Sequence, residues 1–176
     1  FYNTLVDRIV TGYPRDDAEA IWEKLDCRDE LLDVGEYFLL WVIEGDMRLK
    51  EEVPFAKTGL DVIVTDNLKP YRDRKVRVLN GAHTGNVLAA YLSGVYTVGE
   101  MMADDQLGGH LRAMVNEEIL PGVKLPDAEK SEYAQAVFER FQNPFVRHEL
   151  LSISLNSVSK WKVRVLPSLK DFVAEK

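Results

Sequence analysis

The sequence reads as a mainly α-helical protein with a small β element in its first half, and three observations support this. From Pro70 onward the chain carries capped stretches of helical length and period. Two short apolar runs, at 37–43 and 61–65, stop at polar turns and have the length of strands. Repeated strand–helix alternation, the requirement for a doubly wound sheet, is absent.

Each element has a local reason. Pro14 and the Asp16-Asp17 pair precede a helical composition at 18–25, with acids at its start where the helix dipole favours them. The run at 37–43 is aromatic and apolar and ends at Gly45-Asp46, which favours a strand over a helix. The run at 61–65 is β-branched and ends at Asp66-Asn67, so the two can pair in a small sheet. Pro70 suits the first turn of a helix, where its missing N–H is no loss. The stretch 75–92 reads as a long helix broken or pinched near Gly81 and Gly85. Asp104 or Asp105 caps a helix running to about Leu120, ended by Pro121-Gly122. Asp127 caps the next, through Tyr133, Val137 and Phe141. Asn143-Pro144 is expected to open a further helix reaching about Val158, and 163–167 to be extended or irregular.

Composition narrows the function. At 176 residues, with 46% apolar and 29% charged residues, the chain has the size and make-up of one globular domain. A net charge of −7 argues against a nucleic-acid or anionic-membrane partner, but a pocket with one or two cations can still hold an anionic substrate. No run of eighteen apolar residues is present, so no membrane span is expected. Cys27 is the single cysteine and forms no internal disulfide, which fits a reducing, cytoplasmic setting. Opening on Phe1, without an initiator Met or a signal-peptide pattern, the chain is expected to be cut from a longer protein. No Gly-x-Gly-x-x-Gly follows a predicted strand, so no cofactor-binding residue is expected here. The histidines lack metal-site spacing, and His110 and His148 read as surface or satisfied helical residues. Trp22, Trp41 and Trp161 read as packing anchors.

The chemistry-bearing stretch is Lys75-Val76-Arg77-Val78-Leu79-Asn80-Gly81-Ala82-His83. On a helix turning about 100° per residue, Asn80 lies about 140° and His83 about 80° around from Lys75. All three polar groups can therefore share one broad face, with Val76, Leu79 and Ala82 turned to a core. A lysine brought down to a pKa of about 7–8 by burial and cationic neighbours can take the proton of a sugar hydroxyl. Arg74 and Arg77 are the expected neighbours. Asn80 can hold the developing oxyanion, His83 can orient an adjacent hydroxyl, and Gly81 lets a ligand or another backbone come close. The same trio also describes an ordinary solvated helix face, and spacing alone does not choose between them.

The pattern Lys75-x4-Asn80-x2-His83 resembles the signature of the polyol-specific long-chain, or mannitol-type, dehydrogenases, and Asn3-Thr4-Leu5-Val6-Asp7-Arg8-Ile9 resembles their second marker. Within that family, residues 10–16, Lys69-Pro70-Tyr71, Asn143-Pro144 and Leu150-Leu151-Ser152-Ile153 are most similar to tagaturonate reductases (altronate oxidoreductases). The resemblance spans nearly the whole chain. It implies the family's multihelical C-terminal domain, of the 6-phosphogluconate-dehydrogenase-C-terminal-like type, as a single unit over 1–176. It also implies NAD-linked, metal-independent interconversion of tagaturonate and altronate. Lys75 would be the general acid/base, Asn80 would stabilise the alkoxide and His83 would bind substrate. Val6 and Asp7 would contact sugar hydroxyls. NAD would sit mainly on an N-terminal Rossmann domain with no counterpart in this sequence, so the chain alone is expected to be inactive.

A hexuronate substrate needs a cation for its carboxylate, and Lys160, Arg147 and Arg164 are the candidates. Lys160 ranks first because Ser159-Lys160 lies where the resembled family closes its site. Fructuronate or mannitol as substrate, and a non-catalytic helical interaction module, remain alternatives at this stage.

Overall fold

The computed structural model describes residues 1–174. Its first part comprises β1 (Asn3–Asp7), β2 (Val10–Gly12), α1 (Ala18–Leu25), β3 (Val34–Gly35), β4 (Leu40–Glu44), α2 (Leu49–Glu52), a 3-10 turn (Pro54–Lys57) and β5 (Val62–Thr65). The sheet order is β1-β4-β5, with β1 antiparallel and β5 parallel to the central β4. Alternation along β4 sends Leu40 and Val42 to one face, against Leu68 and Tyr71, and Ile43 to the other, against Leu49 and Val64. The two predicted strands thus exist and pair. β1, which neither composition nor period had marked as a strand, completes the sheet, with Val6 opposite Trp41 and Asp7 opposite Leu40.

The second part is helical. α3 (Lys69–Arg74) continues without a break into a π segment (Lys75–Asn80) and then α4 (Gly81–Leu92). α5 (Val98–Ala103), α6 (Asp105–Ala113), a second π segment (Met114–Ile119), α7 (Asp127–Phe141), α8 (Leu150–Ser154), α9 (Ser157–Arg164) and α10 (Leu166–Ala174) follow. Their apolar stripes close one core, with Val78, Ala82, Met101, Leu111, Val115, Val137 and Leu150 fully or almost fully buried. Ile9, just after β1, joins that core. Among the described residues no helix is long and apolar enough to cross a membrane.

Asp104 caps as the sequence predicts, and Thr97 adds a cap that it does not. Asp104 accepts from the backbone N–H of Gln106 and Leu107 at 2.9 Å, which starts α6. Thr97 and Glu100 form a reciprocal capping box at the start of α5.

Five expectations are corrected. Asp127 is the first helical residue of α7 rather than its cap. The pinch in 75–92 is a π segment ending before Gly81, and the helix runs straight through Gly85. Asn143 starts no helix: its Oδ1 accepts the Phe145 N–H at 3.0 Å, a local turn that competes with helical bonding. The expected helix to Val158 is two helices parted by Leu155 at ψ 133° and Asn156 in the left-handed region at φ 59°. Finally, 163–167 is not extended; it joins α9 to α10 and places Pro167 in the first turn of α10, where proline is tolerated.

Candidate active site

Lys75 opens the first π segment, and π-type widening of a helix is frequent at functional sites. Its side chain is half-buried and its Nζ donates to the Val6 carbonyl of β1. Burial pushes the Lys75 ammonium below its ordinary value. Asp7 opposes the shift, and the charges of Arg140 and Arg164 add to it. These are not the neighbours expected from sequence. Arg77 turns away to pair with Asp171 and donate to the Gly122 carbonyl, and Arg74 stacks over Tyr133 at 4.3 Å.

Asn80 ends the same segment, half-buried, and its amide side chain makes no hydrogen bond among the described residues. Next comes Gly81, where a Cβ would lie 3.1 Å from the Arg164 carbonyl oxygen. Of the two close approaches that this glycine permits, the structure uses the one to a neighbouring backbone, that of α9.

His83 is 3% exposed. Its ring stacks on Phe141 (centroids 4.1 Å apart, planes at 16°) and meets His148 edge-on at 5.0 Å. Among the described residues its Nε2 has no hydrogen-bond partner, nor does Nδ1 of His148. Burial, followed by the charges of His148, Arg164, Arg140 and Lys160, holds the imidazole well below its ordinary value. His148 is therefore neither the surface residue nor the satisfied helical residue expected: it is half-buried, outside any helix, with Nδ1 unpartnered among the described residues. An antiparallel bridge from Thr97 to Glu149 fixes its position, with Val98 N–H donating to its carbonyl at 3.0 Å. Lys160 is half-buried on α9 and gives its Nζ to the Ile153 carbonyl at 2.8 Å. Lys75 and His83 share the fields of Arg140 and Arg164, so the structure groups the helix motif with α7 and α9.

Val6 and Asp7 sit beside this group in different ways. Val6 is exposed and faces the site through its carbonyl. Asp7 is 1% exposed, and both its oxygens are engaged. Oδ1 accepts from Arg140 at 2.7 Å; Oδ2 accepts from the Tyr133 hydroxyl at 2.6 Å and from Arg140 at 3.3 Å. Arg140 also holds buried Glu36 at 2.7 Å, and Glu36 accepts the Ile9 N–H at 2.6 Å. Burial and the Asp7 charge raise the Tyr133 phenol far above its ordinary value, so it remains a donor.

Sequence reading missed Arg140, Glu36 and Tyr133. A signal was present, however: Arg140 falls seven residues after Tyr133 and three after Val137, a charge placed on an apolar helical stripe.

Residues 67–176 match the family described as mannitol dehydrogenase C-terminal domain. The chain belongs to that family. It is 49% identical over 169 residues to an altronate oxidoreductase of Yersinia enterocolitica, a match covering 96% of this chain and 35% of that protein. An altronate oxidoreductase of Escherichia coli is 47% identical over the same shares. Among solved structures, Pseudomonas fluorescens mannitol 2-dehydrogenase, in ternary complex with NAD and D-mannitol, superposes with a TM-score of 0.83 at 25% identity. That match covers 99% of this chain and 35% of the other. The chain thus spans about a third of the length of these relatives.

Proposed function

We propose that this chain is the substrate-binding and proton-transferring domain of an NAD-dependent oxidoreductase that interconverts D-tagaturonate and D-altronate. The observation that carries this reading is the Lys75 amine: half-buried, anchored on the Val6 carbonyl and drawn down from its ordinary value. The altronate oxidoreductase relatives support the sugar acid, and the complex of mannitol 2-dehydrogenase with NAD supports the cofactor.

In its unprotonated form Lys75 takes the proton of the hydroxyl whose carbon is oxidised, and returns it when the ketone is reduced; burial favours that form. The Asn80 amide donates to the oxygen as negative charge develops on it. His83, uncharged at neutral pH, offers Nε2 to a neighbouring hydroxyl, which would satisfy a group now buried without a partner. Val6 lines the sugar site, and Asp7 acts there by holding Val6 in register and setting the field at Lys75. Lys160, its Nζ held on the Ile153 carbonyl, adds positive charge near His83.

The described residues do not fit a dinucleotide. No strand leads through a glycine-rich turn into a helix that could cradle a pyrophosphate. We therefore assign NAD, the hydride acceptor in oxidation, to an N-terminal nucleotide-binding domain of the whole protein, in the cytoplasm.

Replacing Lys75 by Ala in the full-length protein should lower kcat on tagaturonate about 100- to 10,000-fold, the range for loss of a general acid/base. The far-UV circular dichroism should not change. Near-normal turnover at neutral pH would remove the base assignment. Turnover of wild-type protein on mannitol or fructuronate in preference to tagaturonate would move the substrate to that relative.

A further inference from the structure

The C-terminal end of α9 brings a guanidinium to the motif helix with no described residue of opposite charge to meet it. Arg164 is half-buried; its Nη1 donates to Thr84 Oγ1 at 3.3 Å, and its carbonyl lies against Gly81. Among the described residues no carboxylate comes within ion-pair distance of it. Arg140 holds Asp7 and Glu36 and Arg77 holds Asp171, while Arg74, also without a carboxylate, lies over the rings of Tyr71 and Tyr133; Arg164 has neither an acid nor an aromatic face among the described residues. The chain has 29 acidic residues against 22 Lys and Arg, so the lack of a partner is not a shortage of acids.

Lys160 stands one turn earlier on α9, and like charges at i, i+4 repel. Burial, then the Arg164 charge, lowers Lys160, and burial lowers Arg164. Both cations are half-buried on one helix, and among the described residues neither has an acidic partner. The unpartnered Nε2 of His83, next to Thr84 in the chain, and the unpartnered Nδ1 of His148 lie within the same fields. An anion carrying hydroxyl groups would satisfy the whole set.

We propose that Arg164 receives the carboxylate of the sugar acid and is the residue that selects hexuronates over uncharged sugars of the same length. It has this role only if the substrate is a hexuronate, as proposed for the site. A planar fork of donors suits a carboxylate better than the Lys160 ammonium, whose Nζ is already committed to the Ile153 carbonyl. Arg147 is exposed and spent on Glu149. Packing of the Arg164 carbonyl on Gly81 fixes where the guanidinium starts from relative to Lys75, Asn80 and His83.

The test uses full-length protein with NADH and compares wild type with Arg164→Met and Arg164→Gln. KM for tagaturonate should rise roughly 10- to 100-fold, the range for a lost charge-assisted hydrogen bond, while kcat changes less than about 5-fold. Inhibition by altronate should weaken in step, and inhibition by an uncharged hexitol should change less than about 3-fold. Arg164→Gln keeps a hydrogen-bonding group near Thr84 without the charge and should show the same split if Arg164→Met folds poorly. Arg164→Lys should recover part of the affinity. An unchanged KM, or equal weakening toward altronate and hexitol, overturns the assignment alone. Wild-type protein inert toward every hexuronate overturns the functional reading and this assignment together.

Discussion

An imidazole that is 3% exposed, edge-on to a second imidazole and within the fields of three cations is hard to protonate while the protein is folded. The unfolded chain puts no such restraint on His83. Above pH 6.5 neither state binds the proton, and stability does not depend on this group. Below pH 6.5 the unfolded state gains a proton that the folded state refuses, so stability falls as the pH drops toward the lowered folded value. The slope is at most about 1.4 kcal/mol per pH unit for each such group. His148, lowered by burial and then by Lys160, contributes with the same sign. The urea midpoint of wild type should therefore drop between pH 7.5 and 5.5, and that of His83→Phe should drop less. An identical drop in both proteins would mean that His83 takes up its proton in the folded state.

At the α5–α6 corner two adjacent helical glycines have opposite reasons to be there. A Cβ on Gly108 would lie 2.7 Å from the Met102 carbonyl oxygen, closer than carbon and oxygen can sit. A Cβ on Gly109 would meet nothing within 4 Å. Alanine favours a helix interior over glycine by about 1 kcal/mol. Gly109→Ala should therefore raise the melting temperature and Gly108→Ala should lower it, an overpacking cost of up to about 3 kcal/mol outweighing the gain in helix propensity. Thermal unfolding of the two variants beside wild type decides it; stabilisation by both would mean that α5 can slide away from α6. The same corner is built by the Asp104 cap, so a glycine and an aspartate together set the angle at which α6 enters the core.

Across the molecule, a single buried cation ties the sheet to the helices. Arg140 of α7 binds Asp7 at the end of β1 and Glu36 just after β3, and lies 4.0 Å over the Phe38 ring. Removing it leaves two buried carboxylates unpaired, which costs about 3–5 kcal/mol. Arg140→Met should lower the denaturant midpoint accordingly and weaken Lys75 anchoring, since Val6 sits next to the released Asp7. Arg28→Met, which breaks the exposed Arg28–Glu30 pair, should leave the midpoint unchanged. Equal effects of the two substitutions would remove the network from the account of stability.

Short-range chemistry was legible in the residues themselves. The helix at 18–25, the Asp104 cap, Pro70 in a first turn, strands β4 and β5 and the helical second half all follow from period, caps and turn residues, which act within a few positions. The spacing of Lys75, Asn80 and His83 could be read as a helical pattern, but the turn of 100° per residue assumed for it is not the one that the π segment from Lys75 to Asn80 follows. The π widening itself, the turn at Asn143 and the left-handed Asn156 were not legible, since each is one of several backbone conformations that the same local residues allow. Nor could sequence show that Arg140 and Arg164, rather than Arg74 and Arg77, surround Lys75. Charge acts through space, and only folding brings α7, α9 and β1 within reach of that amine.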